Sequence, residues 1–234
     1  MNQVVAARPS PTLSLRAPLV KFVRNEGAGA SRFALVFWVL TALVLASVSR
    51  ASVGAQGVLS FGALMLPMLT FTIVGRVVGT RGLVVRATEF ARMGASRSST
   101  AAAHVAVAVG LSALFAAVLG ILFVIVAHRE GDPALTHDLP ATFAASFVCG
   151  ATYAAYFAWG STFRDGMGRS LFLGLDFVLG GASGLSLLLP RAHLRSLLGG
   201  ENAGALRPGA SMLAVVVLAV VFGSLAVLRA KRAR

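Results

Sequence analysis

The 234-residue chain is 57% hydrophobic and 12% charged, with a formal net charge of +13. A soluble fold of this length cannot enclose so much apolar surface, and about a quarter of an ordinary soluble domain is charged, so the composition predicts an integral membrane protein. No basic face interleaves with aromatics, which argues against nucleic acid, and one cysteine, Cys149, excludes an intrachain disulfide framework and a cysteine-held metal cluster.

In chain order, residues 1–32 read as a cytoplasmic segment. Within it, Leu15, Leu19, Phe22 and Val23 recur at helical spacing over about 14–26, with Lys21, Arg24 and Asn25 on the other side. Pro18 suits a first helical turn and Gly27 and Gly29 a stop, so a short basic helix lying in the membrane interface is expected. Six runs then reach the roughly 20 apolar residues a membrane-crossing helix needs. They are 33–49, 51–75, about 101–127, about 140–163, about 171–190 and about 210–228. Being continuous, they predict helices rather than barrel strands. Pro67 is expected to bend the second. The small residues after the first run, Ala46, Ser47 and Ser49, superficially suit a signal peptide. The long region before that run and the immediate second run argue for a retained helix.

Between the second and third runs stands a polar stretch, about 81–94. Arg86, Glu89 and Arg92 stack on one face at spacings of three, while Leu83, Ala87 and Phe90 share another. Gly94 is a stop, and Ser96, Ser98, Ser99 or Thr100 can cap the next helix. The expectation is a three-turn amphipathic helix parallel to the membrane. Orientation follows from charge. With the N-terminus inside, 16 of the 21 Lys and Arg residues face the cytoplasm, and only Arg50, Arg129, Arg191, Arg195 and Arg207 face out. The predicted fold is therefore all-α, with a six-helix membrane domain over 33–230, both termini cytoplasmic and a basic tail at 231–234.

Two polar residues lie inside the apolar runs. Asp176 is expected near the cytoplasmic end of the fifth and His104 near the start of the third, at similar depth. They would pair with one another, or Asp176 with Arg169 or Arg76, in a structural rather than transport role. Gly180 and Gly184 form a small-xxx-small pair suited to close helix approach, a candidate dimer seam. The aromatics of the fourth run, among them Phe143, Tyr153, Tyr156 and Trp159, read as packing and interfacial anchors. His104, His128, His137 and His193 are scattered and no HExxH or GxSxG occurs, against an intramembrane enzyme. A structural or assembly protein would account for the spans but not for the polar helix at 81–94.

The whole arrangement resembles the membrane subunit of an ABC-2-type ATP-binding-cassette exporter. "EFARMGASR" (89–97) and "LPRAHLRSLLGG" (189–200) look similar to segments of bacterial permeases of this class. The resemblance implies that 14–26 is the interfacial helix, 81–94 the coupling helix that docks on an ATPase subunit, and 189–209 the outer helices joining spans five and six. It implies contact through Arg86, Glu89, Phe90 and Arg92, a second permease subunit as homodimer or heterodimer, and a bacterial cytoplasmic membrane. The chain departs from relatives that carry a large outer domain. No GxxxxGK[ST] is present, so ATP and Mg would belong to the partner subunit and this chain would hold no cofactor or metal.

Overall fold

In hydrocarbon no water is present to bond a backbone N–H or C=O, so these groups must be satisfied within the protein, and the chain does so mainly with helices. The structure, a computed structural model, describes residues 16–20, 22, 29–49, 61–132, 134–181, 184–198, 202–204 and 206–233, and no strand occurs among them. Helix α1 runs Gly29–Ser49. A π turn, Phe61–Met65, leads into α2, Leu66–Val78, which has Pro67 in its first turn. A widened turn thus precedes Pro67, whose missing N–H removes one donor from the helical ladder. Helix α3 spans Gly82–Arg92, α4 Arg97–Ala127 and α5 Leu135–Gly160. Then follow α6, Gly168–Leu179, α7, Pro190–Leu197, and α8, Pro208–Arg232.

Among the described residues four stretches are long and apolar enough to cross a membrane: Phe61–Arg92, which comprises the π turn, α2 and α3, and Arg97–Ala127, Leu135–Gly160 and Pro208–Arg232. The apolar part of α1, Arg32–Val48, is shorter. The fifth expected span is not one helix. Helix α6 has 12 residues, about 18 Å at 1.5 Å each, well short of a hydrocarbon core of about 30 Å. A turn, a 3-10 segment at Gly184–Leu188 and α7 follow it. Of the predicted interfacial helix, 16–20 and 22 are helical and the remainder lies outside the described residues, as do residues 51–60 of the second run.

Small residues determine the centre of the bundle. Ser112, Ala116 and Gly120 of α4 recur every four residues and face Ser146 and Gly150 of α5. A Cβ on Gly150 would lie 2.7 Å from the Ala116 Cβ and 2.8 Å from the Ser112 carbonyl oxygen, and one on Gly120 would lie 2.4 Å from the Ser146 hydroxyl. Removing those side chains lets the two helices approach closely and gain dispersion contact, which drives helix association in lipid. Among the described residues this α4–α5 seam is a close helix–helix approach built on small residues at a four-residue spacing. The Thr152 hydroxyl of α5 donates to the Val215 carbonyl of α8 at 3.0 Å, and the Trp38 indole of α1 donates to Thr72 Oγ1 of α2 at 3.1 Å. The periphery is apolar. Phe33, Phe37, Leu40 and Val44 on α1, and Leu213, Val217 and Val220 on α8, are all more than half exposed, as suits lipid-facing positions.

Long-range contacts gather the basic residues at one end of the bundle. The amide of Leu83 donates to the Ser161 carbonyl at 3.3 Å. The Arg229 guanidinium lies 3.9 Å over the Phe163 ring, and Arg97 Nη1 donates to the Ala233 carbonyl. Arg81, Arg92, Arg97, Arg164, Arg229 and Arg232 thus share one end, called here the basic end. At the opposite end Phe61 packs against Phe123 at 5.0 Å, their rings tilted, and Leu194 and Leu198 pack onto Gly62. Helix α7 therefore occupies the half of the bundle that the short α6 leaves unfilled.

Candidate functional site

Helix α3 lies at the basic end and is amphipathic as its spacing predicts. Gly82, Leu83 and Ala87 are buried, while Arg92 is exposed. Arg86 Nη1 donates to Glu89 Oε2 at 2.7 Å, with both side chains about one-third exposed (32% and 36%), so the pair contributes under about 1 kcal/mol to the fold. Phe90 turns inward and meets the His104 ring edge-on at 5.8 Å. The solvent side of α3 is therefore formed by Arg86, Glu89 and Arg92, with Phe90 half-buried beneath them.

Both ends of α3 are tied down. Gly94 has φ +89°, the amide of Ala95 donates to the Phe90 carbonyl at 3.1 Å and that of Gly94 to Ala91 at 3.0 Å. This is a Schellman stop, for which a residue without a Cβ is suited. Two residues later Ser96 caps α4, its hydroxyl accepting from the Ser99 amide at 3.4 Å. At the other end, Gly82 and Gly166 have φ +82° and +89° and meet backbone to backbone. A Cβ on Gly82 would stand 2.2 Å from the Ser161 carbonyl oxygen, and one on Gly166 would stand 2.4 Å from that of Thr80. The start of α3 is thus fastened to the α5–α6 turn, a tie that nothing in the local spacing announced. Arg164 and Asp165 in that turn also have positive φ, 45° and 51°.

Asp176 and His104 are both buried but do not pair. Asp176 Oδ2 accepts from the Tyr153 hydroxyl at 2.9 Å, and Oδ1 from the backbone amide of Arg191 at 3.2 Å. The acid sits in the last turn of α6 rather than near its start, so its depth is matched by Tyr153 and by the first turn of α7, not by His104. His104 Nδ1 lies 2.8 Å from the Thr100 carbonyl. Arg169 and Arg76, the other expected partners, are engaged elsewhere. The Arg169 guanidinium lies 4.6 Å over Phe71, and Arg76 lies 5.0 Å over Phe22 while donating to the Phe22 carbonyl at 3.0 Å. The signal for the true partner was present: a tyrosine buried in a membrane helix needs an acceptor for its hydroxyl.

Gly180 and Gly184 do not share a helix face. Helix α6 ends at Leu179, Gly180 follows it, and Gly184 begins a separate 3-10 turn. Gly180 does permit a close approach, but to α7 of its own chain, since a Cβ there would lie 2.8 Å from the Arg191 Cβ. Among the described residues no group of three His, Cys, Asp or Glu side chains is placed to hold a metal ion.

What fold and site define together is a multi-pass, all-helical protein with membrane-crossing helices. Compared with protein-family models, with curated proteins and with solved structures, the chain finds no match in any of the three.

Proposed function

We propose that this chain is the membrane-embedded permease subunit of an ATP-driven exporter, worked by a separate ATPase subunit that docks on α3. In this reading the basic end faces the bacterial cytoplasm and both termini lie there. The π turn with α2, the long helices α4, α5 and α8, α1, and the α6–α7 pair make up the six membrane columns. A second permease subunit completes the transporter.

The observation that carries the reading is α3 itself. It is an amphipathic helix between two membrane helices, with a charged outer side and a rigid inner attachment. A push on Arg86, Glu89 and Arg92 would reach α5 and α6 through the Gly82–Gly166 contact. It would reach α4 through Phe90 on His104 and through the two-residue turn before Ser96. Packed helices respond to such a push by switching between discrete arrangements rather than by bending. A weak exposed ion pair adds little to folding, which suits residues kept for contact with a partner.

The test is a mild-detergent purification of the tagged chain beside Glu89→Ala with Arg92→Ala, with co-purifying proteins identified by mass spectrometry. An ATPase subunit is expected with the native chain and is expected to be lost from the variant. An ATPase retained by the variant would move the docking site elsewhere. No ATPase under several conditions would overturn the exporter reading in favour of a structural or assembly protein.

A further inference from the structure

A cleft of about 550 Å3 opens at the basic end. Its walls are Trp159, Phe163, Leu225 and Leu228, and two cations, Arg229 and Arg232, line it too. The surface of α3 enters it only through Val84, so it is separate from the side of α3 that carries Arg86 and Glu89.

The cleft is preformed. Trp159 is stacked on Phe222 at 5.4 Å and meets Phe172 edge-on at 5.0 Å, and Phe163 packs on Phe172 at 5.7 Å. Aromatic contacts of this kind hold ring orientations. Arg229 is oriented as well, its guanidinium 3.9 Å over Phe163 and its Nε 3.5 Å from the Thr162 carbonyl oxygen. Arg232 stands one helical turn further along α8. No Asp or Glu lines the cleft. Along α8 the apolar run ends at Leu228 and the basic tail begins at Arg229. That change marks the level where a membrane-crossing helix leaves the acyl chains for the phosphate layer.

An apolar slot that ends in two guanidinium groups at that level matches an amphiphile with an anionic head. We propose that the cleft holds an anionic phospholipid of the adjoining leaflet. Its phosphate lies on Arg229 and Arg232, and one acyl chain runs along Trp159, Leu225 and Leu228. Arginine suits the phosphate because its planar fork donates two parallel hydrogen bonds. The inference goes beyond the exporter reading and does not need it, since the site is complete in the chain without an ATPase.

The chain has two tryptophans, so Trp38→Phe leaves Trp159 as the sole emitter beside the cleft. The full chain with that change is reconstituted in phosphatidylcholine vesicles that contain brominated phosphatidylglycerol or brominated phosphatidylcholine, and quenching is followed. Brominated phosphatidylglycerol is expected to quench at a mole fraction about 25-fold lower, about fivefold for each of the two cations. Arg229→Gln with Arg232→Gln is expected to abolish that preference. Arg81→Gln with Lys231→Gln, which removes the same charge from the same end outside the cleft, is expected to keep it. Equal quenching by the two lipids would overturn the proposal. So would loss of the preference in both pairs of variants, which would mean diffuse surface attraction. Displacement by inorganic phosphate at matched ionic strength would assign the cations to a free anion instead. No quenching by either lipid would mean that protein covers the cleft.

Discussion

Asp176 shows how a buried charge is accommodated. It is fully buried, yet each carboxyl oxygen has a donor, one from Tyr153 and one from the Arg191 amide. Burying a carboxyl without such donors is costly, so the arrangement ties three segments, α5, α6 and α7, to one point. Tyr153→Phe is expected to lower stability by about 0.6–1.7 kcal/mol, from the average to the largest value found for hydrogen bonds between membrane helices. In a cycle of Tyr153→Phe and Asp176→Asn, followed by thermal unfolding in detergent, the two losses should fall short of adding. Full additivity would show that the hydroxyl and carboxyl do not act as a pair. Unchanged unfolding in Asp176→Asn would contradict a structural role. The sequence shows that Asp176 needs a partner, but not which. Its partners lie 23 and 15 residues away along the chain, beyond the reach of any helical spacing rule.

At the scale of elements, α3 was legible from spacing alone. Its buried Leu83 and Ala87, its charged outer side, its Gly94 stop and the serine cap that follows all depend on residues within one or two turns. The attachment of its first residue was not legible, because it depends on a meeting with Gly166, more than eighty positions later. Gly82→Ala places a methyl group against the Ser161 carbonyl and forces alanine to a positive φ. A cost of about 1–3 kcal/mol is expected from the backbone strain, with more from the clash. Limited proteolysis should then cut near α3 and the α5–α6 turn faster than in the native chain, while α4 and α5 stay protected. Unchanged protection at both sites would show that the two glycines do not hold these elements together. Helix α6 illustrates the opposite case. Its apolar run continues past Leu179, yet the helix stops there, since α7 fills the space above it and brings the Arg191 amide to Asp176.

For the whole molecule, the grouping of arginines at one end gives a prediction about orientation. Lys and Arg favour the cytoplasmic side of a membrane, so Arg92→Cys should be labelled by a membrane-impermeant maleimide only when the inside face is open to reagent. His137→Cys, at the other end of the bundle, should be labelled from outside. Cys149 is buried in α5 and should remain unlabelled in the native chain. Labelling of both positions from one side would overturn the orientation. The exposed apolar sides of α1 and α8 follow from the same logic, because lipid offers them no less favourable surroundings than protein does.

Read alone, the sequence establishes what depends on local composition. The long apolar runs become helices because hydrocarbon holds no water to bond the backbone. The amphipathic character of α3 follows from its 3.6-residue period, and the gathering of basic residues between alternate runs follows from the order of segments along the chain. The tertiary structure alone decides what depends on distant segments meeting. It breaks the fifth run into α6, a 3-10 turn and α7, assigns Asp176 to Tyr153 and Arg191, and moves the small-residue seam to α4 and α5. It also closes the aromatic cleft beneath Arg229. The physical reason is the same in each case: hydrogen bonding and close packing act over a few ångströms in space, and hydropathy along the chain does not register which residues those few ångströms will contain.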